Sequence, residues 1–238
     1  MDKKIILLNG ASSSGKSVIA KKFQEISSEP YLHTGIDYFM LMLPEKYLNV
    51  DKALLPPGYN DFGFAGGPKS TDGFWTGPIK NEQGEPSLDV KIGPVAVQLL
   101  KGMHNAFAAM AAQGNNLIIA DVVTEFLMKS YVQALRNYNV ILVGIHCPLK
   151  ELERREQERG DRLRGSARLQ LNAIEKPGIY DLELDTSKMD VLQCAEKIKG
   201  IVDSRERAGK IPDAFLKLQD KYLESHIYPM ALYPQEGE

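Results

Sequence analysis

An eight-residue segment near the start of the chain has the residue types and spacing of a phosphate-binding loop. It matches the pattern G-x-x-x-x-G-K-[ST] and consists of Gly10, Ala11, Ser12, Ser13, Ser14, Gly15, Lys16 and Ser17. The glycines allow a backbone curl in which successive N–H groups face phosphate oxygens. We expect Lys16 to reach the β- and γ-phosphates of a nucleotide and the Ser17 hydroxyl to bind Mg²⁺. A flexible turn is the alternative, but an apolar run precedes the loop and a helical pattern follows it, as the motif requires.

Transfer of a phosphoryl group to a hydroxyl also requires a carboxylate near that hydroxyl. The carboxylate acts as a base that orients the hydroxyl and takes its proton. Asp37 is the best candidate, in the segment HTGIDYF after the second predicted strand. The carboxyl ends of neighbouring parallel strands face one crevice, so Asp37 would lie across from the phosphate loop. The alternative is that Asp37 only caps the helix that begins at YFMLML.

An acid that follows a run of apolar strand residues is typical of the Mg²⁺ site in proteins with this loop. The run LIIAD ends at Asp121, which we predict to be a metal ligand together with Ser17. The alternative is that Asp121 acts only as a helix cap after the strand. The chain has no N-K-x-D motif of the kind that reads a guanine base.

Arginines are concentrated in the segment ERREQERGDRLRG, at positions 154, 155, 159, 162 and 164. Interleaved glutamates favour a solvated helix face with i,i+4 ion pairs as one interpretation. The helical pattern breaks at Gly160-Asp161, however, and leaves Arg159 and Arg162 on a turn. Phosphoryl transfer needs positive charge on the transferring group and exclusion of water, which a mobile arginine lid supplies. We therefore predict that Arg159 and Arg162 belong to such a lid.

The elements that must position these residues alternate between strand and helix along the chain. Apolar runs predict strands at KKIILLNG, PYLHTG, NNLIIADVV, YNVILVGIHC and GIYDLELDTS. Apolar residues at helical spacing predict a helix after the loop and others near residues 94–112, 125–137, 148–159, 166–175 and 188–202. This alternation indicates an α/β fold with a parallel sheet covered by helices on both faces.

Two segments depart from the alternation. Residues 44–92 are rich in Pro, Gly, Asn and Asp and are far longer than a usual connection, so we expect either an ordered cover over a substrate or a loop packed onto the core. Residues 204–238 contain a short amphipathic helix around PDAFLKLQDKYLES. The sequence does not decide whether that helix docks on the domain, mediates self-association or caps the fold.

Composition limits the partners that the chain could have. Its 238 residues suffice for one large domain, and 29 Lys and Arg against 31 Asp and Glu give a net charge of -2. That balance gives no general attraction to nucleic acid or anionic lipid. No stretch approaches the ~20 apolar residues of a membrane span, and two distant cysteines without metal-ligand spacing indicate a reduced chain. We expect a cytoplasmic protein that needs neither membrane nor nucleic acid, with a homo-oligomer left open.

The chain resembles the chloramphenicol phosphotransferase family of P-loop kinases. The resemblance lies in IILLNGASSSGKS, EPYLHTGID, IGPV, NNLIIADVV, VGIHCPLKELERREQERGDR and GIYDLELDTS, whose order and spacing match over about residues 4 to 200. It implies a three-layer P-loop kinase fold with a central five-stranded parallel sheet and a helical lid. It also implies ATP and Mg²⁺ as cofactors, with the catalytic base at Asp37 and the lid arginines at Arg159 and Arg162. The predicted C-terminal helical extension has no counterpart in the family pattern.

The sequence also differs from the family pattern in places. The third strand ends in Ala120-Asp121 where the family often has an acidic pair, and Glu175 stands where a histidine is common. The expected division is a kinase domain over residues 1–203, with a substrate-covering insertion at 44–92, and an extension over 204–238. The resulting hypothesis is an ATP-dependent O-phosphotransferase for a hydroxylated small molecule, chloramphenicol or a related antibiotic. A nucleoside or metabolite kinase, and a P-loop ATPase module that acts through a protein partner, are the alternatives.

Overall fold

The apolar run at the start of the chain forms β1 (Lys4–Asn9), the middle strand of a five-stranded parallel sheet. The sheet order is β2 (Tyr31–Thr34), β6 (Asn116–Asp121), β1, β7 (Asn139–His146) and β8 (Leu182–Asp185). All four pairings are parallel. This computed structural model describes residues 4–50, 70–80, 86–159, 165–174, 179–208 and 213–223. The five strands are those that the sequence predicts.

Successive residues of β1 face two separate apolar layers, as the two-residue period of a strand requires. Ile5 and Leu7 point into the core formed with α3 (Pro94–Ala112) and α4 (Glu125–Leu135). Ile6 and Leu8 point into the core formed with α1 (Lys16–Ile26) and α7 (Val191–Ala208). All four side chains are fully buried. The predicted three-layer α/β fold is therefore confirmed.

A second sheet of three strands lies within residues 44–92, where the sequence pattern indicated only a long connection. A 3₁₀ turn at Glu45–Tyr47 leads into β3 (Leu48–Val50), which pairs in parallel with β4 (Phe74–Lys80). Strand β4 in turn pairs antiparallel with β5 (Pro86–Ile92). Gly77, Pro78 and Pro86 interrupt the strand pattern in the sequence, since glycine and proline both count against a strand. Residues 51–69 lie outside the described part of the chain.

The remaining helices surround the carboxyl edge of the main sheet or cover one of its faces. Helix α2 (Ile36–Met40) follows β2, and α5 (Leu149–Arg159) and α6 (Ser166–Ala173) lie between β7 and β8. Helix α8 (Asp213–Leu223) packs on α4 and β7, with Phe215 and Leu218 buried in the same core as α3. Among the described residues, no helix is both long and apolar enough to cross a bilayer.

A buried carboxylate at the start of β8 fastens the C-terminal helices to the sheet. Asp181 Oδ2 accepts a hydrogen bond from Leu142 N at 2.8 Å. Its Oδ1 accepts from Arg205 Nη2 of α7 at 2.7 Å and from Ala214 N of α8 at 3.2 Å. The Asp181 side chain is only 1% exposed. The described part of the C-terminal segment is thus docked on the domain, and the predicted boundary after residue 203 falls inside α7.

Candidate active site

The segment between β1 and α1 has the backbone conformation of a tight cradle. Ser13 has φ 62° and Gly15 has φ 98°. Both values lie in the left-handed region, which occurs in turns whose backbone N–H groups face an anion. At Gly10, a Cβ would lie 2.5 Å from the Ile145 carbonyl oxygen, so only glycine permits this contact with β7. The predicted loop therefore opens directly onto the N-terminus of α1, where backbone N–H groups and the helix dipole favour an anion.

Lys16 is folded back across the loop rather than extended into water. Its Nζ donates to the carbonyl oxygens of Gly10 at 2.7 Å and Ala11 at 2.8 Å, and the residue is 9% exposed. The hydroxyl oxygens of Ser13 and Ser14 are buried and have no hydrogen-bond partner among the residues that the structure describes. A buried polar atom without a hydrogen-bond partner lowers the stability of the fold, which indicates that these hydroxyls bind a ligand. Ser17 is exposed at the first turn of α1.

Asp121 ends β6 beside the loop, in register with Asn9 at the end of β1. Its Oδ2 accepts from the Tyr131 hydroxyl and its Oδ1 from Val122 N, each at 2.7 Å. Burial raises the pKa of the Asp121 carboxyl to about 6, although both hydrogen bonds and the charge of Lys16 oppose the rise. The cap of α4 is Thr124, whose side chain accepts from Leu127 N, so the capping alternative for Asp121 is wrong.

Asn9 fixes the segment that follows Asp121. Its Oδ1 accepts from Val123 N at 2.8 Å, and its Nδ2 donates to Val123 O at 3.2 Å and to the Tyr180 hydroxyl at 3.0 Å. Asn9 is 1% exposed. Asn9 is not among the site residues that the sequence predicts, although its position directly before the loop is a signal that could have drawn attention to it.

Asp37 lies in the first turn of α2, exposed, on the side of the loop that faces β2. A Cβ on Gly35 would lie 2.2 Å from Ala120 O, so the turn before α2 is pressed against the end of β6. The charge of Asp37 raises the pKa of Asp121, which places the two carboxylates in one electrostatic neighbourhood. Gly35, and not Asp37, occupies the N-cap of α2, so the capping alternative for Asp37 is also wrong.

A cavity of about 510 Å³ adjoins the other side of the loop. Its lining includes Ser13, Gly15, Val18, Arg155, Thr186 and Val191. Arg155 donates to the Thr186 carbonyl oxygen at 2.8 Å and hydroxyl at 3.1 Å, and Thr186 in turn donates to Ser14 O at 3.0 Å. Neither Arg155 nor Thr186 is among the site residues that the sequence predicts. Thr186 lies at the end of the predicted strand segment GIYDLELDTS, and its place at the carboxyl end of a parallel strand is a signal that could have drawn attention to it.

The arginine-rich segment divides between a solvated face and the cavity. Arg154 is about half exposed and pairs with Glu151 and Glu158, as the helix-face interpretation predicts. Arg159, the last residue of α5, lines the cavity instead. Arg162 lies outside the described residues, so its predicted place in a lid stays a prediction.

Helix α6 is bound tightly to α5 and touches the phosphate loop. The buried Glu156 of α5 accepts from Gly165 N at 2.7 Å and Ala167 N at 2.9 Å, which caps the start of α6. From α6, the side chain of Gln170 reaches the loop, where its Oε1 accepts from Ser12 N at 2.6 Å. The sequence contains no signal for this contact, because it joins elements that are far apart along the chain.

Comparison with known proteins gives consistent matches in sequence and in fold. The sequence model of chloramphenicol phosphotransferase-like proteins matches residues 3–203. A Mycobacterium tuberculosis protein, provisionally named an O-phosphotransferase, is 32% identical over 223 residues, which cover 92% of this chain and 89% of the relative. A sugar kinase from Janibacter sp. HTCC2649 has a TM-score of 0.53 at 18% identity, with 85% of this chain and 95% of that chain covered.

A second solved structure shares the fold at a similar level. The APS kinase of Mycobacterium tuberculosis, solved in complex with AMPPNP and APS, has a TM-score of 0.52 at 14% identity, covering 85% of this chain and 98% of that chain. At such identities the likeness concerns the fold alone. It agrees with a central parallel sheet whose first strand leads into a phosphate-binding loop.

Proposed function

The chain belongs to the chloramphenicol phosphotransferase-like family, and from this premise we propose that it is an ATP-dependent O-phosphotransferase. The proposed reaction moves the γ-phosphate of ATP to a hydroxyl of a small molecule. One observation supports it most: Lys16, Asp121 and Asp37 meet at the carboxyl edge of the sheet, with a cavity on one side of the phosphate loop and an exposed carboxylate on the other.

The strand order supports a donor site and an acceptor site on opposite sides of the loop. Strand β1 lies in the middle of the sheet, with β2 two positions to one side and β8 two positions to the other. The cavity next to Thr186, after β8, would take the base and sugar of the nucleotide. Asp37, after β2, would lie on the acceptor side. A phosphoryl group held on the loop between them would face the acceptor hydroxyl, as in-line transfer requires.

The residues of the loop fit a nucleotide triphosphate. The loop N–H groups and the Ser13 and Ser14 hydroxyls would donate to phosphate oxygens, and Lys16 would exchange its two backbone carbonyl partners for phosphate oxygens. Arg159 would add positive charge from the end of α5, and we propose the same for Arg162. These donors would stabilise the charge that develops on the transferring group.

Mg²⁺ would be held by the Ser17 hydroxyl, with Asp121 as the carboxylate of the site. Oxygen donors of this kind fit the ion, which when bound neutralises phosphate charge. Both Asp121 oxygens already accept a hydrogen bond, so Tyr131 and Val122 fix the orientation of this carboxylate. The raised pKa of Asp121 reflects burial, and a nearby cation would favour its ionised form.

Asp37 would act as the general base. It is exposed to solvent in the first turn of α2, so an acceptor can approach it without rearrangement of the sheet. In this role it orients the acceptor hydroxyl and receives the proton that the hydroxyl loses as its oxygen attacks the phosphorus. The acceptor class that we propose is a hydroxylated small molecule, with chloramphenicol and related antibiotics among the candidates.

The test is incubation of the protein with ATP, Mg²⁺ and a panel of hydroxylated antibiotics, nucleosides and metabolites, with mass spectrometry to detect the gain of one phosphate. We expect one class of acceptor to be phosphorylated, and Asp37→Asn to lower that rate by about 10²–10⁴-fold. Asp220→Asn, an exposed change on α8, is the matched control. Undiminished activity in Asp37→Asn would refute the proposed base. ATP hydrolysis with no acceptor in the panel would favour a P-loop ATPase module.

A further inference from the structure

Gln170 places a neutral oxygen where a phosphate-binding loop would bind an anionic one. Its Oε1 accepts the Ser12 N–H at 2.6 Å, which is short for an N–H···O bond. Backbone N–H groups of such a loop are donors for phosphate oxygens. A carboxamide oxygen on one of them therefore competes with a phosphate for the same donor.

The position of Ser12 indicates which phosphate would compete. The cavity that would hold the nucleotide base is lined by Ser13 and Gly15 but not by Ser12. Ser12 lies nearer the start of the loop, where it leaves β1, so we expect it to lie farther from the base than Ser13 and Gly15 do. In a triphosphate that runs along the loop, the group at this end is the terminal phosphate.

Gln170 is held in this position by contacts at both ends of α6. At its start, Glu156 accepts from Gly165 N and Ala167 N, and Arg168 pairs with Glu153 of α5 at 2.8 Å. After its end, Ile174 forms a β-bridge with Thr124, which caps α4. The side chain thus approaches the loop from a helix that is anchored to two other helices, and not from a free segment.

We propose that Gln170 discriminates between nucleotide states by occupying the Ser12 N–H until a terminal phosphate displaces it. This inference rests on the proposed function, since it assumes that a nucleoside triphosphate binds the loop. A nucleoside diphosphate leaves the Gln170 contact in place. A triphosphate must break it, so the hydrogen bond between α6 and the loop is lost only in the triphosphate state.

Two substitutions with opposite effects test this proposal. Gln170→Met keeps the length of the side chain but removes the acceptor, so the Ser12 N–H no longer has a competitor. Its affinity for AMPPNP relative to ADP should rise by about threefold to tenfold, the range expected from one hydrogen bond. Gln170→Glu keeps the acceptor and adds a negative charge beside the terminal phosphate, so the same ratio should fall by roughly tenfold or more. Gln98→Met, at an exposed position of α3, is the control.

Calorimetric titration with AMPPNP and with ADP, both with Mg²⁺, measures the ratio, and the Ser12 amide resonance in NMR spectra gives a second readout. In the native chain that resonance should shift with AMPPNP and stay nearly unchanged with ADP. Equal effects of Gln170→Met on both nucleotides, or shifts of the ratio in one direction for both variants, would overturn this inference and leave the proposed function standing. A native chain that binds neither nucleotide would overturn both.

Discussion

At the scale of single residues, the candidate site depends on polar groups that the fold has largely removed from water. Lys16 and Asp121 are both buried. Lys16 donates to carbonyl oxygens of its own loop, and Asp121 accepts from the Tyr131 hydroxyl. Desolvation makes their charges expensive when no ligand is bound, which is why the pKa of Asp121 is raised. A bound phosphate would pair with the positive charge of Lys16, and a bound cation would pair with the negative charge of Asp121.

Lys16→Ala should weaken ATP binding by roughly tenfold to a hundredfold, the range for loss of a hydrogen bond to a charged group. The bonds from Lys16 Nζ to the carbonyl oxygens of Gly10 and Ala11 lie within its own loop, so we expect the sheet to keep its fold in this variant. Titration calorimetry with ATP measures the change. Lys22→Ala, on the outer face of α1 where Lys22 pairs with Glu25, is the control and should bind ATP as the native chain does.

His104 should make stability depend on pH. It is fully buried with its Nδ1 2.6 Å from Ser130 Oγ, and burial lowers its pKa to about 3. Below pH 6.5 the unfolded chain therefore binds a proton at this residue that the folded chain does not, so stability falls as pH falls. The free energy of unfolding of the native chain, relative to that of His104→Asn, should therefore fall by about 1.4 kcal/mol for each pH unit between pH 6 and 4. Urea denaturation at several pH values measures it, and a constant difference would contradict the expectation.

Sequence patterns identified those site residues whose positions follow from a strand and its carboxyl end. Lys16, Asp37 and Asp121 are of this kind, and the structure brings them to one edge of the sheet, while their chemical roles stay predictions. Gln170 and Arg155 could not be found in that way. Their contacts with Ser12 and Thr186 depend on how separate helices pack, which no local period or spacing encodes.

At the scale of elements, α5 and α6 behave as one unit because a single carboxylate serves both. Glu156 is buried within α5, yet its two oxygens accept the N–H groups that begin α6. Helix starts leave such N–H groups without partners inside the helix, and a side-chain acceptor there stabilises the first turn. The orientation of α6, and with it that of Gln170, therefore depends on α5.

Glu156→Ala should loosen the start of α6 without unfolding the sheet. Hydrogen exchange at the amides of Gly165 and Ala167 should accelerate by about tenfold or more, since both lose their acceptor. Exchange within β1 and β7 should stay slow. Glu158→Ala removes an exposed pair with Arg154 on the same helix and should leave α6 protection unchanged. Equal acceleration in both variants would show that Glu156 has no particular role as a cap.

The second sheet shows where element prediction from sequence ends. The strands of the main sheet are continuous apolar runs because both of their faces are buried, and such runs are easy to recognise. Strands β4 and β5 instead contain Gly77, Pro78 and Pro86, and their pairing is antiparallel and local. Their stability depends on tertiary context, which outweighs the weak intrinsic preference of these residues for a strand.

At the scale of the whole molecule, the five parallel strands and their two helical layers follow from the alternation of strand and helix patterns in the sequence. The docking of α8 does not follow from that alternation. Amphipathic spacing predicts α8 without saying which surface it covers. The structure packs Phe215, Leu218 and Tyr222 into the core shared by α3 and α4. Asp181 provides the polar connection, by hydrogen bonds to β7, α7 and α8.

Asp181→Ala should lower the free energy of unfolding by about 3–5 kcal/mol, the cost of leaving a partly buried cation without its partner. The cation is Arg205, whose side chain is 19% exposed. Asp203→Ala, which breaks the more exposed pair with Lys199, should cost at most about 1 kcal/mol. Urea denaturation of the three chains gives these differences. A loss in Asp181→Ala no greater than in Asp203→Ala would mean that the three hydrogen bonds contribute little.

Helix α8 also constrains the order in which the chain can mature during synthesis. The surface of α4 and β7 that it covers is complete once His146 has been made, but Phe215 follows only many residues later. At ribosomal rates this interval lasts roughly 4–14 s, during which that apolar surface lacks its own cover. A nascent chain paused before Asp213 would therefore present a ready target for chaperones or proteases, and one that has passed Tyr222 would not.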